Sequence, residues 1–390
     1  MVPGNVVAVI KTTQTAGGLM NCLFLTLKVF SATGGIEKVC RVAGKALYEM
    51  QCISQAGQLR ILSMHDHTAD AWENPYFPAE LFTGFGAHKA SFMKAAVQKG
   101  SKADTVIISH INLLPAGWLI KKVSPGTRII LFAHGIEIWG DISPMKRRMI
   151  ACCAAFVCVS NFTSTTIQAQ HMIPATKCKV LNNCIDPYLP LPGKKVKLPA
   201  LLDKYGFEES DTILFTLTRL SSKDRYKGYN KVFEALAQLK TRYPRVRYLL
   251  GGSYDDTEKA FVEAELERLG LQDIVTIAGY LPDESLADYF ALADLYIMPS
   301  QKEGFGIVFI EAMYYGLPVI AGNTDGSVDA LLGGRLGQLV NPENVEDIRD
   351  ALELLLENPE DRLPNRELLM EHFSYNAYKE KLEGVMLNDE

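Results

Sequence analysis

The sequence predicts an α/β protein made of two doubly wound, open parallel sheets that face each other across a cleft. Three observations lead there. At 390 residues the chain is two to three times the ~150 residues of an average domain. Short apolar runs rich in β-branched residues alternate with amphipathic helical patterns along its whole length, as βαβ units do. A proline-rich stretch, Asp186 to Pro199, carries Pro187, Pro190, Pro192 and Pro199 and interrupts both patterns at mid-chain.

In order, the first half predicts strands at Leu23–Leu27, Leu59–Ser63, Thr105–Ser109, Ile129–Ala133 and Phe156–Val159. The second predicts Ile213–Thr218, Val246–Gly251, Ile274–Ala278, Leu295–Pro299 and Pro318–Ala321. The expected organisation is an extension at 1–21, a first domain at 22–190, a linker at 191–200, a second domain at 201–370, and a final segment at 371–390. For residues 1–21 a fold element remains the alternative, because a short Val6–Ile10 run lies there without the apolar core of a secretory signal.

Hydrophobic residues at 48% and charged residues at 22% exclude disordered, collagen-like and membrane-spanning classes. The net charge of −5 conceals a split: residues 1–200 hold 21 bases and 10 acids, whereas 201–390 hold 19 bases and 35 acids. Eight cysteines without a CxxC pair lie among apolar residues, which favours buried thiols in a reducing compartment, the cytoplasm. His65-Asp66-His67 with Asp70 offers metal-ligand chemistry, but neighbouring side chains on an extended segment point apart, so a polar loop is the favoured reading.

Ligands of open α/β sheets bind at the carboxyl ends of the strands, and four segments place chemistry there. Glu303-Gly-Phe-Gly-Ile-Val-Phe-Ile-Glu311 opens a helix whose free amides and positive dipole end suit an anion, while Gly304 and Gly306 admit close approach. The flanking carboxylates suit sugar hydroxyls; the alternative is dipole-facing surface acids. Arg219-Leu-Ser-Ser-Lys-Asp-Arg-Tyr-Lys227 concentrates four bases after a strand of the acidic half, as a phosphate site needs, against the alternative of a solvated loop. Gly34-Gly35 precedes a helix from Ile36 to about Tyr48, and His134-Gly135 follows the strand at Ile129–Ala133.

As an ordered set, Gly34-Gly35, His134-Gly135, Arg219, Lys227-Gly228, Gly279-Tyr-Leu-Pro-Asp283 and the Glu303-x7-Glu311 pair resemble the retaining nucleotide-sugar glycosyltransferases of family 4 (group 1). The resemblance spans roughly Leu23 to Leu387. It implies the GT-B fold of two Rossmann-like domains, with a last helix, Ser374 to Leu387, crossing back to the first domain. It also implies transfer of a hexose from a nucleoside diphosphate sugar to an acceptor hydroxyl, in cell-surface polysaccharide or glycolipid assembly.

In that scheme Arg219 and Lys227 hold the diphosphate, and Glu311 holds the ribose. Glu303, Gly304, Phe305, Gly306 and Ile307 bind the donor, and Tyr280 and Leu281 border the base. Gly34 and Gly35 approach the phosphates, and His134 touches the donor sugar. Neither metal nor cofactor is expected. The expected partners are the donor, an acceptor sugar or lipid-linked glycan, and an anionic membrane surface, with no nucleic acid. The expected place is the cytoplasmic face of the inner membrane.

Two departures from the family pattern matter. The Arg219 to Lys227 interval is long, leaving Lys223 and Arg225 as further phosphate candidates, and Gly322-Asn-Thr-Asp-Gly-Ser-Val-Asp329 replaces a Gly-Gly...Glu segment. Competing readings are a sugar-nucleotide epimerase of the same architecture, a phosphorylase, which needs a pyridoxal-bearing lysine and a longer chain, and a noncatalytic nucleotide-sugar-binding protein. For membrane contact two stretches stand out: Leu81 to Ala103, with Lys89, Lys94, Lys99 and Lys102 among aromatics, and Leu113 to Lys122, with Trp118 beside Lys121 and Lys122.

Overall fold

The computed structural model describes residues 21–54, 57–193, 195–358 and 363–387. The expected extension at 1–21 therefore lies outside the described residues apart from Asn21. The first sheet holds β1 (Cys22–Thr26), β2 (Leu59–Ser63), β3 (Phe82–Gly84), β4 (Thr105–Ile108), β5 (Arg128–Ala133), β6 (Ala155–Cys158) and β7 (Cys178–Val180). All are parallel, in the order β3-β2-β1-β4-β5-β6-β7. The second holds β8 (Thr212–Leu217), β9 (Val246–Gly251), β10 (Val275–Gly279), β11 (Leu295–Met298), β12 (Val319–Gly322) and β13 (Gln338–Val340), ordered β10-β9-β8-β11-β12-β13 and again parallel.

Ten strands coincide with the expected ones to within one residue at each end. Their runs, rich in Val, Ile, Leu and Phe, are what a sheet covered by helices on both faces selects. In each sheet the order reverses beside the first strand, between β1 and β4 and between β8 and β11. Those two switch points open toward each other and fix the place of the cleft.

The halves share packing. Val159 and Ile185 of the first half join the core of the second, and Ile307 of the second packs against the cores of both. The final helix, Tyr375–Leu387, lies on the first domain, where Tyr378, Leu382 and Met386 are buried beside Cys40, Ala43 and Leu47 of the Gly35–Ser54 helix. Lys379 pairs with Glu49 at 2.9 Å, and Arg128 donates to the carbonyl of Met386 at 2.8 Å.

Two minor candidates resolve into structure. Asp66 is fully buried and accepts from the amides of Val29 and Ser31, both at 2.7 Å, so its carboxylate organises the loop after β1 rather than a metal. Cys52 is the exposed exception among cysteines otherwise buried or partly buried.

Candidate functional site

Between the switch points lies a cavity of about 630 Å³, within the range of small-molecule sites. Both domains line it. Gly34, Gly35, Lys38, His134 and Asn183 come from the first; Arg219, Lys227, Tyr280, Leu281, Glu303, Phe305, Gly306, Ile307 and Glu311 come from the second. Of the expected site residues only Gly304 is not on this lining, and it lies directly behind it.

The helix Ile307–Tyr314 starts at Gly306, whose φ of 83° is open to glycine at no steric cost. A Cβ at Gly306 would meet the Phe309 ring at 2.4 Å, so the turn has no room for a side chain. The unpaired amides of that helix start face the cavity as donors for an anion. Beside them the Lys227 ammonium is bonded to the Glu303 carboxylate, each side chain 18% exposed. Arg219 is pinned at its Nε by Asp224 at 2.7 Å while its side chain stays 72% exposed. Asp224 also accepts from the Tyr226 hydroxyl at 2.9 Å. The guanidinium is thus oriented by one carboxylate and open to a second anion.

Across the cleft, the His134 ring is fixed by Nε2 at 2.8 Å from the carbonyl oxygen of Ser109. A carbonyl only accepts, so Nε2 carries the proton and Nδ1 is the ring atom left for a ligand. Glu137 caps the turn by accepting from the His134 amide at 2.6 Å.

Arg225 does not share the phosphate role. Its guanidinium lies against the fully buried Glu258, with Nε 3.0 Å from both carboxylate oxygens, and stacks 3.5 Å from the Phe261 ring centroid. Glu258 also accepts from the Tyr229 hydroxyl. Lys223 is not on the cavity lining but on an adjoining recess, which shares Arg219, Asp224 and Ser253 with it. Arg225→Ala is expected to lower stability by about 2 kcal/mol, discounted because the arginine side chain is 38% exposed. It should leave the donor KM within about twofold; urea unfolding and initial rates check both.

Two residues escape the sequence reading. Lys38 reaches from the first domain to Glu311 of the second, Nζ to Oε1 at 2.6 Å. Asp325 lies in the departed Gly322–Asp329 segment and is 1% exposed. Its Oδ2 accepts from the Ser300 hydroxyl at 2.7 Å and the Glu303 amide at 2.6 Å, and its Oδ1 from the Ser327 amide at 2.9 Å. The segment that departs from the family pattern thus holds Glu303 in place.

Burial pushes the Asp325 carboxyl up to about 6, with the facing Glu303 adding to the shift and the bonds from Ser300 and Ser327 opposing it. Protonation would weaken the acceptor for the Glu303 amide, so kcat is expected to fall as pH drops through about 6. Asp325→Asn should lower kcat and remove that acid limb. Because the folded-state pKa is raised, the folded protein binds the proton before the unfolded chain does. Stability from this group therefore rises as pH falls from about 6 toward the ordinary carboxyl range, and unfolding does not explain the lost rate.

Comparison with known proteins agrees with this fold. The family model "Glycosyltransferase Family 4" matches residues 36–189, and "Glycosyl transferases group 1" matches residues 199–380. A GDP-mannose-dependent alpha-(1-6)-phosphatidylinositol monomannoside mannosyltransferase of Mycolicibacterium smegmatis is 28% identical over 247 residues, 60% of this chain and 62% of that protein. The match thus spans less than two thirds of that relative. A D-inositol 3-phosphate glycosyltransferase of Corynebacterium aurimucosum is 32% identical over 168 residues, 41% of this chain and 40% of its own. In fold, the Anabaena protein HepE, solved with UDP-glucose, superposes with a TM-score of 0.76 at 19% identity, covering 94% of this chain and 99% of its own. The matched models and the two facing doubly wound sheets place the chain in the group 1 glycosyltransferases of family 4, with the GT-B fold.

Proposed function

We propose that the protein transfers a hexose from a nucleoside diphosphate sugar to an acceptor hydroxyl with retention at the anomeric carbon, without a metal ion. The observation that supports this most is the gathering of Arg219, Lys227 and the Gly306 helix start on the lining of one cavity together with Glu303 and Glu311. Breaking the sugar–phosphate bond leaves positive charge on the ring and negative charge on the departing diphosphate. Fixed cations and amides aimed at that diphosphate stabilise the charge as it develops. Glu303 accepts from sugar hydroxyls, Glu311 from the ribose, and His134 meets the sugar from the other domain. The departing phosphate takes the acceptor's proton on the face where the new bond forms, which gives retention in one site.

The acceptor we propose is a sugar or lipid-linked glycan of cell-surface polysaccharide or glycolipid assembly, met at the cytoplasmic face of an anionic membrane. Of the two basic stretches, Leu81–Ala103 turns Phe82 and Phe92 into the core and leaves Phe85 half-buried, so it shows little aromatic surface. The helix Leu114–Val123 is the better membrane face: Leu119 and Val123 are 38% and 63% exposed, and the Lys122 ammonium lies 5.5 Å from the Trp118 ring centroid. Binding to anionic liposomes is expected and should weaken with salt; indifference to lipid charge removes this part of the proposal.

The test is incubation with a panel of nucleotide sugars that includes GDP-mannose and UDP-glucose, scored by saturation-transfer contacts and slow donor hydrolysis. Conversion of donor alone into an isomer would make the protein an epimerase. Saturable binding with neither hydrolysis nor transfer to any acceptor would make it a binding protein.

A further inference from the structure

Glu311 and Lys38 stand 273 positions apart in sequence and meet across the cleft. The two side chains are 3% and 18% exposed, so their contact is largely sheltered from water and salt. Lys38 follows Gly34-Gly35 in the first turn of the Gly35–Ser54 helix, and Glu311 lies in the Ile307–Tyr314 helix of the other domain. The contact therefore exists only while the domains are together.

The surroundings of Lys38 are acidic. Burial opposes its charge, yet Glu311, with Asp283 and Asp186 behind it, holds the ammonium above the ordinary lysine value. Those acids come from three segments: the Ile307–Tyr314 helix, the loop after β10 and the loop after β7. Asp186 is itself bonded to the Tyr76 hydroxyl at 2.6 Å, and Asp283 lines the main cavity. Without Lys38, three carboxylates would face one another next to the place where a diphosphate is expected.

Two further polar groups share the recess behind the pair. The Asn183 side chain is 7% exposed and its Oδ1 has no partner, and the Tyr378 hydroxyl of the final helix is equally buried and unpartnered. Both line the small recess together with Lys38, Asp186 and Glu311. An ammonium has three protons, and one of them goes to Glu311 Oε1. Glu311 Oε2 accepts no side-chain hydrogen bond among the described residues and remains for a ligand hydroxyl.

We propose that Lys38 is the positioning residue of the ribose subsite: it grips one oxygen of Glu311 from the opposite domain, so that a nucleotide ribose on the other oxygen and closure of the domains reinforce each other. This rests on the transferase reading above. Lys38 acts through Glu311 and supplies the counter-charge that lets a sheltered carboxylate accept from a hydroxyl.

The test is calorimetric titration of the full chain with UDP and GDP and with their 2′-deoxy counterparts, for wild type, Lys38→Met and Lys38→Arg, alongside donor KM and kcat. Lys38→Met is expected to weaken the preferred ribonucleotide by about tenfold or more, the scale of a charge-assisted hydrogen bond. It should also collapse the preference for ribose over 2′-deoxyribose toward unity and raise KM more than it lowers kcat. Lys38→Arg should restore ribose preference to within about threefold of wild type. A merely structural role would leave that preference intact in any folded variant. If Lys38→Met melts early, Lys38→Gln carries the same expectation. Unchanged affinity and preference in the variants overturn the proposal, and so does tighter binding, which would make Lys38 a competitor of the ribose. Should wild type bind none of the four nucleotides, the transferase reading falls first and this inference with it.

Discussion

Lys227→Ala is expected to lower kcat by about 10²-fold or more, with Glu303→Ala close behind, because in the proposed reaction each removes a fixed contact, to charge or to hydroxyls, that strengthens in the transition state. The two residues are bonded to each other. A donor would separate them by offering phosphate oxygens to the lysine and hydroxyls to the carboxylate. A double variant should therefore lose much less than the product of the two single losses, since each single change already strands the other partner. Initial rates with the nucleotide sugar found in the panel check this. Near-normal rates in both single variants would remove the pair from the mechanism.

Gly304→Ala should be as damaging for a different reason. A Cβ at residue 304 would sit 1.8 Å from the carbonyl oxygen of His134 in the opposite domain, and a Cβ at Gly135 would sit 3.0 Å from the Gly304 Cα. Here the two domains touch backbone to backbone. No rotamer relieves a clash of Cβ with backbone, so one added methyl group must hold the cleft open. A displacement of about 1 Å in a two-part site can cost about 10²-fold in rate. The expected result is a large fall in kcat together with nucleotide affinity weakened about tenfold, as for Lys38→Met, because an opened cleft also separates Lys38 from Glu311. Small-angle scattering should show wild type contracting with saturating nucleotide and the variant failing to do so.

Both predictions rest on residues visible in the sequence, but their pairings were not. The Glu303–Glu311 segment stands out because glycines and acids are arranged around a helix start, a local pattern. That Glu303 meets Lys227, that Gly304 meets His134, and that Glu311 meets Lys38 are facts of tertiary approach, and no spacing encodes them. The strands divide in the same way. Val246–Gly251 and Ile129–Ala133 are long apolar runs and identify themselves, whereas Phe82–Gly84, Cys178–Val180 and Gln338–Val340 have three residues each and no room for a period. Each of those three sits at an edge of its sheet, where pairing with one neighbour suffices.

Asp325 shows a further limit. In sequence, Gly322–Asp329 reads as a departure from the family's pattern, and the departure suggests lost donor contacts. In space, its buried carboxylate supports Glu303 through the amide. The basic cluster misleads in the other direction: Arg225 has the right charge in the right loop, yet Glu258, acidic and 33 positions later, claims it entirely.

The final helix bears on how the chain is made. Tyr378, Leu382 and Met386 complete the core of the domain that is synthesised first. Domains emerging from a ribosome commonly fold in order of synthesis, but here the apolar side of the Gly35–Ser54 helix stays uncovered until residues 375–387 have left the exit tunnel. Through that interval a growing chain carries a first sheet with an open flank, so the domain made first is completed last.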